Sequence, residues 1–245
     1  MNKPQMIIFD YGHTLLHEPE SDFLRGEKEI YKHIIKNPRN LTVDEINLFS
    51  KELFEKFYVC RKQDFELHEW QIMKLKYEYL DIELDITYAE AEKILWNYVS
   101  MGAPMPFVEE MLDYLKVNKI RSGVISNICW SGNALTERIN RLLPNNQFEF
   151  IIPSSEYIIR KPNPMIFELA LQKAKLQASD VWYCGDNVKA DIYGARNAGI
   201  YPVFYEDLTI DNPWVEYNDS SQIEFDYLHI HNWKEMIPIL TGLER

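Results

Sequence analysis

Short apolar runs alternate with amphipathic stretches along the second part of the chain. The runs predict β-strands because they are brief and bounded by turn residues, whereas the amphipathic stretches have the period of helices. Predicted strands span 120–126, 148–152, 181–184, 201–205 and 227–230, predicted helices span 107–117, 131–143, 163–175, 188–198 and 233–240, and the acidic stretch 206–225 predicts an exposed loop. Together with an apolar run at residues 6–9, this order predicts an α/β fold, with helices on both faces of a parallel sheet.

Residues 21–100 follow a different pattern. Their apolar side chains recur at helical spacing, and no convincing strand interrupts them. Two helix starts, at residues 42–45 and 87–90, carry a threonine three positions before a glutamate, which is the capping box. The two prolines of residues 103–106 predict a hinge, because proline disfavours helix in the residue before it. We therefore predict a core made of residues 1–18 and 104–245, with a helical insert at 19–103.

Composition narrows the classes of partner. The 245 residues are 46% hydrophobic, which is enough to build a large core. The 38 acidic and 26 basic residues give a net charge of −12, so the chain repels polyanions and nucleic acid is not an expected partner. No apolar run approaches the roughly 20 residues of a membrane helix, and no secretory signal pattern opens the sequence. With the separated Cys60, Cys129 and Cys184 predicted to be free thiols, we expect a cytoplasmic protein.

Chemically active side chains cluster near the ends of the predicted strands, where ligands of open α/β sheets bind. Each alone has an ordinary explanation, because a Ser-Asn pair can satisfy a turn, a lysine can be solvated and an aspartate can cap a helix. Together they predict a site in which carboxylates and a cation share one volume. These residues are Asp10, Ser126 with Asn127, Lys161, and Asp186 with Asp191.

The three aspartates need positive charge if they meet at one sheet edge. Unscreened like charges about 4 Å apart cost on the order of 4 kcal/mol per pair at an effective dielectric constant of 20. Hard oxygen ligands select Mg²⁺, which binds one or two carboxylates, waters and phosphate oxygens. Lys161 is expected to supply the remaining positive charge and to hold a phosphoryl group.

In their order along the chain, these segments resemble the four motifs of the haloacid dehalogenase-like hydrolase superfamily. The helical insert, which follows the first motif, resembles that superfamily's cap. The resemblance spans nearly the whole chain, and four short motifs in order at strand ends form a highly specific pattern. It implies a Rossmann-like core, a mobile helical cap and catalysis through a covalent aspartyl intermediate.

The resemblance also implies roles for individual residues. Asp10 would be the nucleophile that attacks phosphorus and forms an aspartyl phosphate. Ser126 and Lys161 would hold phosphate oxygens, and Asn127 would help to orient its loop. The implied substrate is a small phosphorylated metabolite, because a closed cap leaves little room for a macromolecule.

A Mg²⁺ site is implied by the same resemblance. Asp10, Asp186 and the main-chain carbonyl of Gly12 would bind the ion, and Asp191 would contribute directly or through another ligand. Gly12 is the departure from the family pattern, because phosphatases of this superfamily usually carry a second aspartate two residues after the nucleophile. That aspartate protonates the leaving group and activates water, a contribution of roughly 10²- to 10⁴-fold.

Three hypotheses follow from Gly12. In the first, the protein is a Mg²⁺-dependent phosphatase that recruits another proton-transfer group, with His13 and His17 nearest in sequence, or that takes substrates with good leaving groups. His13 can equally be a hydrogen-bonded turn residue. In the second, the protein is a phosphonate-cleaving or dehalogenase-like hydrolase; phosphonate cleavage needs a cap lysine, for which Lys28 and Lys32 are candidates.

The third hypothesis is a degenerate, non-catalytic member whose aromatic-rich cap binds a partner. Aromatic residues at helical spacing are more often core than interface. Retention of Asp10, Lys161, Asp186 and Asp191 favours the enzyme, because a binding protein has no need for a charged metal pocket. The sequence leaves the substrate and the oligomeric state open.

Overall fold

A six-stranded parallel sheet forms the centre of the protein. The computed structural model describes residues 2–210 and 219–243. The sheet strands are β1 (Met6–Phe9), β6 (Arg121–Ser126), β7 (Phe148–Pro153), β8 (Val181–Gly185), β9 (Tyr201–Tyr205) and β10 (Leu228–Ile230). They lie in the order β10-β9-β8-β1-β6-β7, so β1 is central.

Some of the helices cover both faces of this sheet, and the others lie in the predicted insert. In the described ranges the helices are α1 (Phe23–Tyr31), α2 (Val43–Phe57), α3 (Glu69–Leu80), α4 (Tyr88–Val99), α5 (Val108–Val117), α6 (Gly132–Leu142), α7 (Pro164–Ala174), α8 (Gly194–Asn197) and α9 (Trp233–Thr241). Alternate residues of β1 point to opposite faces. Ile7 and Phe9 are buried with α5, α6 and α9, whereas Met6 and Ile8 are buried with α7 and α8. The predicted α/β fold is confirmed as a Rossmann-like arrangement.

Most predicted bounds in this core lie within one or two residues of the observed ones. The exception is the predicted helix at 188–198. Val188–Tyr193 forms a wide, π-type turn, and only Gly194–Asn197 continues as α-helix. The predicted loop at 206–225 lies partly outside the described residues, because 211–218 are not among them.

Helices α1 to α4 lie between β1 and α5 along the chain, in the predicted insert. The expectation of an insert without strands is wrong, because β3 (Ile34–Lys36) pairs antiparallel with β4 (Glu83–Leu84). Both are too short to give a strand period in the sequence. The two predicted capping boxes are present, with the N–H groups of Thr42 and Thr87 donating to their glutamates at 2.7 and 2.8 Å.

The insert is connected to the core by two chain segments that lie side by side. β2 (Leu16–His17) pairs antiparallel with β5 (Ala103–Pro104). The first two residues of the predicted hinge at 103–106 are therefore extended chain that pairs with the outgoing segment, and Pro106 lies in a turn. Among residues 2–210 and 219–243, no helix has the length and apolar character needed to cross a bilayer. The three cysteines are free thiols, of which only Cys184 is buried.

Candidate active site

Lys161 lies between two carboxylates at the carboxyl end of the central strand. Asp10 follows β1, and its N–H donates to the carbonyl of Cys184 on the neighbouring strand at 2.8 Å. The Nζ atom of Lys161 lies 2.6 Å from Oδ1 of Asp10 and 2.6 Å from Oδ1 of Asp191. The Lys161 side chain is 1% exposed and that of Asp10 is 13% exposed. Of this group, Asp10 is therefore the carboxylate open to an incoming ligand.

Asn127 fixes the main chain of Lys161. Its Nδ2 atom donates to the Lys161 carbonyl at 2.8 Å, and its Oδ1 atom accepts from the Lys161 N–H at 2.7 Å. The side chain of Asn127 therefore binds both backbone groups of one residue, which holds the lysine in register with the sheet edge. Ser126, the last residue of β6, is buried beside it.

Tyr183 belongs to the same cluster and was not found from the sequence. Its hydroxyl accepts from Nζ of Lys161 at 2.7 Å and lies 3.2 Å from both the Ile125 carbonyl and Oδ1 of Asp191. The sequence presents Tyr183 as one residue of an apolar strand. The one sequence feature that could have indicated a polar role is the hydroxyl of a tyrosine within an apolar strand, because a buried tyrosine O–H usually has a hydrogen-bond partner.

The Asp191 carboxylate has room in this cluster because residue 185 is a glycine. A Cβ atom on Gly185 would lie 2.3 Å from Cγ of Asp191, a distance that no side chain can occupy. The Asn187 N–H donates to Oδ2 of Asp191 at 2.9 Å, which fixes the carboxylate within the wide turn. Asp186 is also buried, and the Thr14 hydroxyl donates to its Oδ1 at 3.4 Å.

Burial and neighbouring charges shift the pKa values of these groups. Burial alone lowers the pKa of Lys161, but the charges of Asp10 and Asp191 outweigh it and raise that pKa. Burial raises the pKa of Asp191 to about 6, against the opposing effect of Lys161. Burial and the nearby Asp191 charge also raise the pKa of Tyr183. The lysine therefore stays charged and the tyrosine stays neutral near pH 7.

The carboxylates meet the requirement for a hard divalent cation. One oxygen from each of Asp10, Asp186 and Asp191 lies within 4.8 Å of the others. Carboxylate oxygens are the ligands that Mg²⁺ prefers in proteins. The donor set and its net negative charge therefore fit such an ion, with Lys161 bound to two of the three carboxylates.

Gly12 faces open space, and the two nearby histidines lie in different surroundings. A Cβ atom on Gly12 would meet no atom within 4 Å. His13 is buried with a φ of 51°, and its N–H donates to the Leu16 carbonyl at 2.7 Å, which places it in a tight turn. His17 is half-buried on β2, and burial lowers its pKa while Asp207 opposes that shift.

The helical insert contacts the loop that follows β6. The Glu69 N–H donates to the Cys129 carbonyl at 2.9 Å. Glu92 accepts from the Ser131 N–H at 2.6 Å, so a residue of α4 caps the first turn of α6. Burial raises the pKa of Glu69 to about 7, helped by Glu92 and opposed by Lys76. These contacts join helices distant in sequence, and no local pattern indicates them.

Comparison with known proteins decides the family. The sequence profile of the haloacid dehalogenase-like hydrolases matches residues 7–204. The chain is a haloacid dehalogenase-like hydrolase. The expected superfamily is thus confirmed, and the matched range contains all the residues of the Asp10 cluster.

Relatives of this hydrolase include named phosphatases. Glyceraldehyde 3-phosphate phosphatase of Methanocaldococcus jannaschii is 25% identical over 245 residues, which cover 98% of both chains. Glyceraldehyde 3-phosphate phosphatase of Pyrococcus furiosus is 28% identical over 129 residues, so the match spans 51% of this chain and about half, 50%, of that relative. A solved HAD phosphatase from Thermococcus onnurineus has a TM-score of 0.59 at 17% identity, covering 98% of this chain and 99% of that one. That structure shares the fold.

Proposed function

We propose that this hydrolase is a Mg²⁺-dependent phosphatase of small phosphate esters that acts through an aspartyl phosphate on Asp10. The position of Lys161 carries the proposal, because its Nζ lies 2.6 Å from both Asp10 and Asp191. A cation next to an accessible carboxylate gives the oxygens of an incoming phosphate a positive partner while the carboxylate approaches phosphorus. The relatives named glyceraldehyde 3-phosphate phosphatases support phosphate-ester chemistry.

The reaction would proceed in two displacements at phosphorus. An oxygen of Asp10 forms a bond to phosphorus, the bond from phosphorus to the ester oxygen breaks, and the released alkoxide takes a proton from a water molecule. Water then attacks the phosphorus of the aspartyl phosphate. This step releases inorganic phosphate, passes a proton from the water to the surroundings and restores the Asp10 carboxylate.

The surrounding residues would position these steps. Lys161 would donate to a phosphoryl oxygen, and Ser126 would hold a second one, while Asn127 keeps the Lys161 main chain in place through its two hydrogen bonds. Asp10, Asp186 and Asp191, with the carbonyl of Gly12, would hold Mg²⁺. When bound, that ion supplies positive charge that neutralises phosphoryl oxygens.

The other hypotheses, which are dehalogenation, phosphonate cleavage and a non-catalytic binding role, have less support than the phosphatase. Dehalogenation needs no metal, yet Asp186 and Asp191 are both buried beside the nucleophile position. A phosphonate-cleaving enzyme would need a lysine from the insert, but Lys28 and Lys32 are both exposed, and Lys32 pairs with Glu29. A non-catalytic binding protein gains nothing from a buried lysine between carboxylates, since desolvating such charges is costly.

The substrate class follows from the surroundings of the site. The insert lies against the loop after β6, which favours a small phosphorylated metabolite over a macromolecule. The net charge of −12 disfavours nucleic acid as substrate or partner. We expect the enzyme to act in the cytoplasm.

The proposal is tested by hydrolysis of an activated aryl phosphate and a panel of small phosphate esters that includes glyceraldehyde 3-phosphate. We expect turnover with Mg²⁺, its loss after chelation, and a fall of at least about 10³-fold in Asp10→Asn. Asp113→Asn is the matched control, since Asp113 is exposed on α5. Activity that is absent throughout the panel, or equal in the two variants, would refute the proposal.

A further inference from the structure

A second cluster of metal-binding side chains lies at the outer edge of the sheet. Glu206 follows β9, His229 lies within β10, and His231 follows β10. The Glu206 N–H donates to the Ile230 carbonyl at 2.9 Å, which extends the pairing of the two strands past their ends. Strand β8 lies between β9, which Glu206 follows, and the central strand β1, which Asp10 follows. The cluster is therefore separate from the Asp10 site.

The distances in this cluster match those between ligands of one ion. Nε2 of His229 lies 3.0 Å from Oε2 of Glu206, and Nδ1 of His231 lies 4.0 Å from the same oxygen. One ligand atom from each residue lies within 4.8 Å of the others. In a tetrahedral zinc site with bonds of 2.0–2.1 Å, neighbouring ligand atoms lie about 3.3 Å apart. The observed separations of 3.0 and 4.0 Å bracket that value.

We propose that Glu206, His229 and His231 bind a borderline divalent transition metal, of which Zn²⁺ is the type. Two imidazoles and one carboxylate are ligands that suit zinc, whereas Mg²⁺ prefers oxygen ligands alone. The side chains are 35%, 28% and 46% exposed in that order, so an ion and a completing water can reach them. Ligand chemistry thus separates this site from the all-carboxylate site at Asp10.

The surroundings hold the ligands in place and add negative charge. The ring of His229 packs against Phe204, with centroids 4.6 Å apart, which limits its rotation. The N–H of His231 donates to Oε1 of Glu235 at 3.2 Å, so a second carboxylate lies beside the cluster. Both features lower the cost of gathering the ligands around a cation.

Metal binding must replace contacts that these residues make with one another. Without an ion, Nε2 of His229 bonds to the Glu206 carboxylate, and Nδ1 of His231 lies 3.1 Å from the Glu206 carbonyl. Binding through Nδ1 requires the His231 tautomer that carries its proton on Nε2. Both imidazoles must be neutral, so binding releases any proton that they carry.

A bound ion would join the ends of β9 and β10. Trp233, two residues after His231, stacks on Tyr205 with centroids 4.5 Å apart. Its indole N–H donates to the Thr14 carbonyl at 2.9 Å. The site therefore lies beside the residues that connect the sheet edge with the loop after Asp10, and we assign it a structural role.

The test is calorimetric titration of the whole protein with Zn²⁺ in excess Mg²⁺, which occupies the carboxylate site. We expect one equivalent to bind to the wild-type protein and to raise its melting temperature by mass action. His231→Gln should weaken binding by at least about tenfold, the loss typical even for residues that only support a ligand. Because His231 is exposed, this variant is expected to fold; His229→Gln is the second variant.

His33→Gln is the matched control, because His33 also pairs with a carboxylate, Asp85 at 2.9 Å, but belongs to no three-residue cluster among the described residues. It should bind Zn²⁺ as the wild type does. Co²⁺ titration gives an independent signal, since its visible absorption strengthens when the ion moves from octahedral water into a tetrahedral protein site. Equal Zn²⁺ affinity in wild type, His229→Gln and His231→Gln, or no binding to the wild type, would overturn the proposal.

Discussion

Gly12 takes the position at which phosphatases of this superfamily usually carry a second aspartate. It lies two residues after Asp10, and no atom approaches within 4 Å of the position that its Cβ would take. Its backbone is outside the left-handed region, so a β-carbon there meets neither a clash nor backbone strain. If Asp10 is the nucleophile, as we propose, the enzyme lacks a carboxyl group at the position usual for proton transfer. Leaving-group departure should limit the hydrolysis of alkyl esters.

We expect Gly12→Asp to raise kcat/KM for alkyl phosphates by about 10²-fold and to change kcat/KM for activated aryl phosphates much less, because kcat/KM does not include the later breakdown of the aspartyl phosphate. Alkoxides need a proton to leave, whereas activated phenoxides do not. The measurement is kcat/KM for both ester classes. Gly12→Asn controls for size and polarity without an ionisable proton. Equal effects of the two substitutions, or equal effects on the two ester classes, would contradict this account.

Among individual residues, the sequence predicts that the charged side chains belong to the site, but it does not predict that Tyr183 does. Asp10, Lys161 and Asp191 follow the ends of apolar runs, and the structure brings them within hydrogen-bond distance. Their catalytic and metal-binding roles stay predictions. Tyr183 reads as strand core because every residue of β8 is buried. Which face its hydroxyl reaches depends on packing against Ile125 and Asp191, and periodicity does not contain that information.

The elements of the core could be predicted because each strand and helix has its own local pattern. The elements that the sequence does not predict have no such local pattern. β3 and β4 span only two or three residues, and their pairing joins chain segments about 50 residues apart. The turn at Val188–Tyr193 has the apolar spacing of a helix, but Asp191 is held there by the Asn187 N–H and by the space that Gly185 leaves.

Ionisation of Glu69, on helix α3, lowers the stability of the folded protein. The pKa of Glu69 rises from 4.5 to about 7 through burial at the contact with the loop after β6. Between these pH values the folded protein keeps a proton that the unfolded chain has released, so the free energy of unfolding falls as pH rises. The fall attributable to Glu69 is at most about 3 kcal/mol.

We expect Glu69→Gln to remove this part of the pH dependence, because its amide does not titrate. Urea unfolding of the wild type and the variant at intervals from pH 4.5 to pH 7.5 measures the difference. The variant should gain stability relative to the wild type as pH rises. Glu52→Gln, at an exposed position of α2, should follow the wild-type profile. Parallel profiles for the wild type and Glu69→Gln would show that the Glu69 proton has no such role.

At the scale of the whole molecule, the insert and the core are joined by buried polar contacts around the active-site edge. Glu66 accepts from the Ser154 hydroxyl at 2.9 Å. Arg138 of α6 donates to the Tyr11 hydroxyl at 2.9 Å and to the Ser100 carbonyl at 2.8 Å. One guanidinium thus connects the loop after Asp10 with the end of α4. Such contacts join segments far apart in the chain, so they follow from the fold and not from any local pattern.

The Rossmann-like core brings the four segments to one sheet edge, and this arrangement has a direct chemical consequence. If Asp10 is the nucleophile, phosphorus must be bonded to its carboxylate during turnover. With no aspartate at Gly12 to activate water, breakdown of that species should be slow enough for it to accumulate.

Trapping that bond tests the central claim most directly. The enzyme is quenched in acid during turnover of an aryl phosphate with Mg²⁺, treated with borohydride, which reduces an aspartyl phosphate to homoserine, and digested for peptide mass analysis. We expect the modified mass at position 10 in the wild type, and its absence without substrate and in Asp10→Asn. Sustained turnover in which Asp10 is recovered unmodified at every quench time would contradict the account.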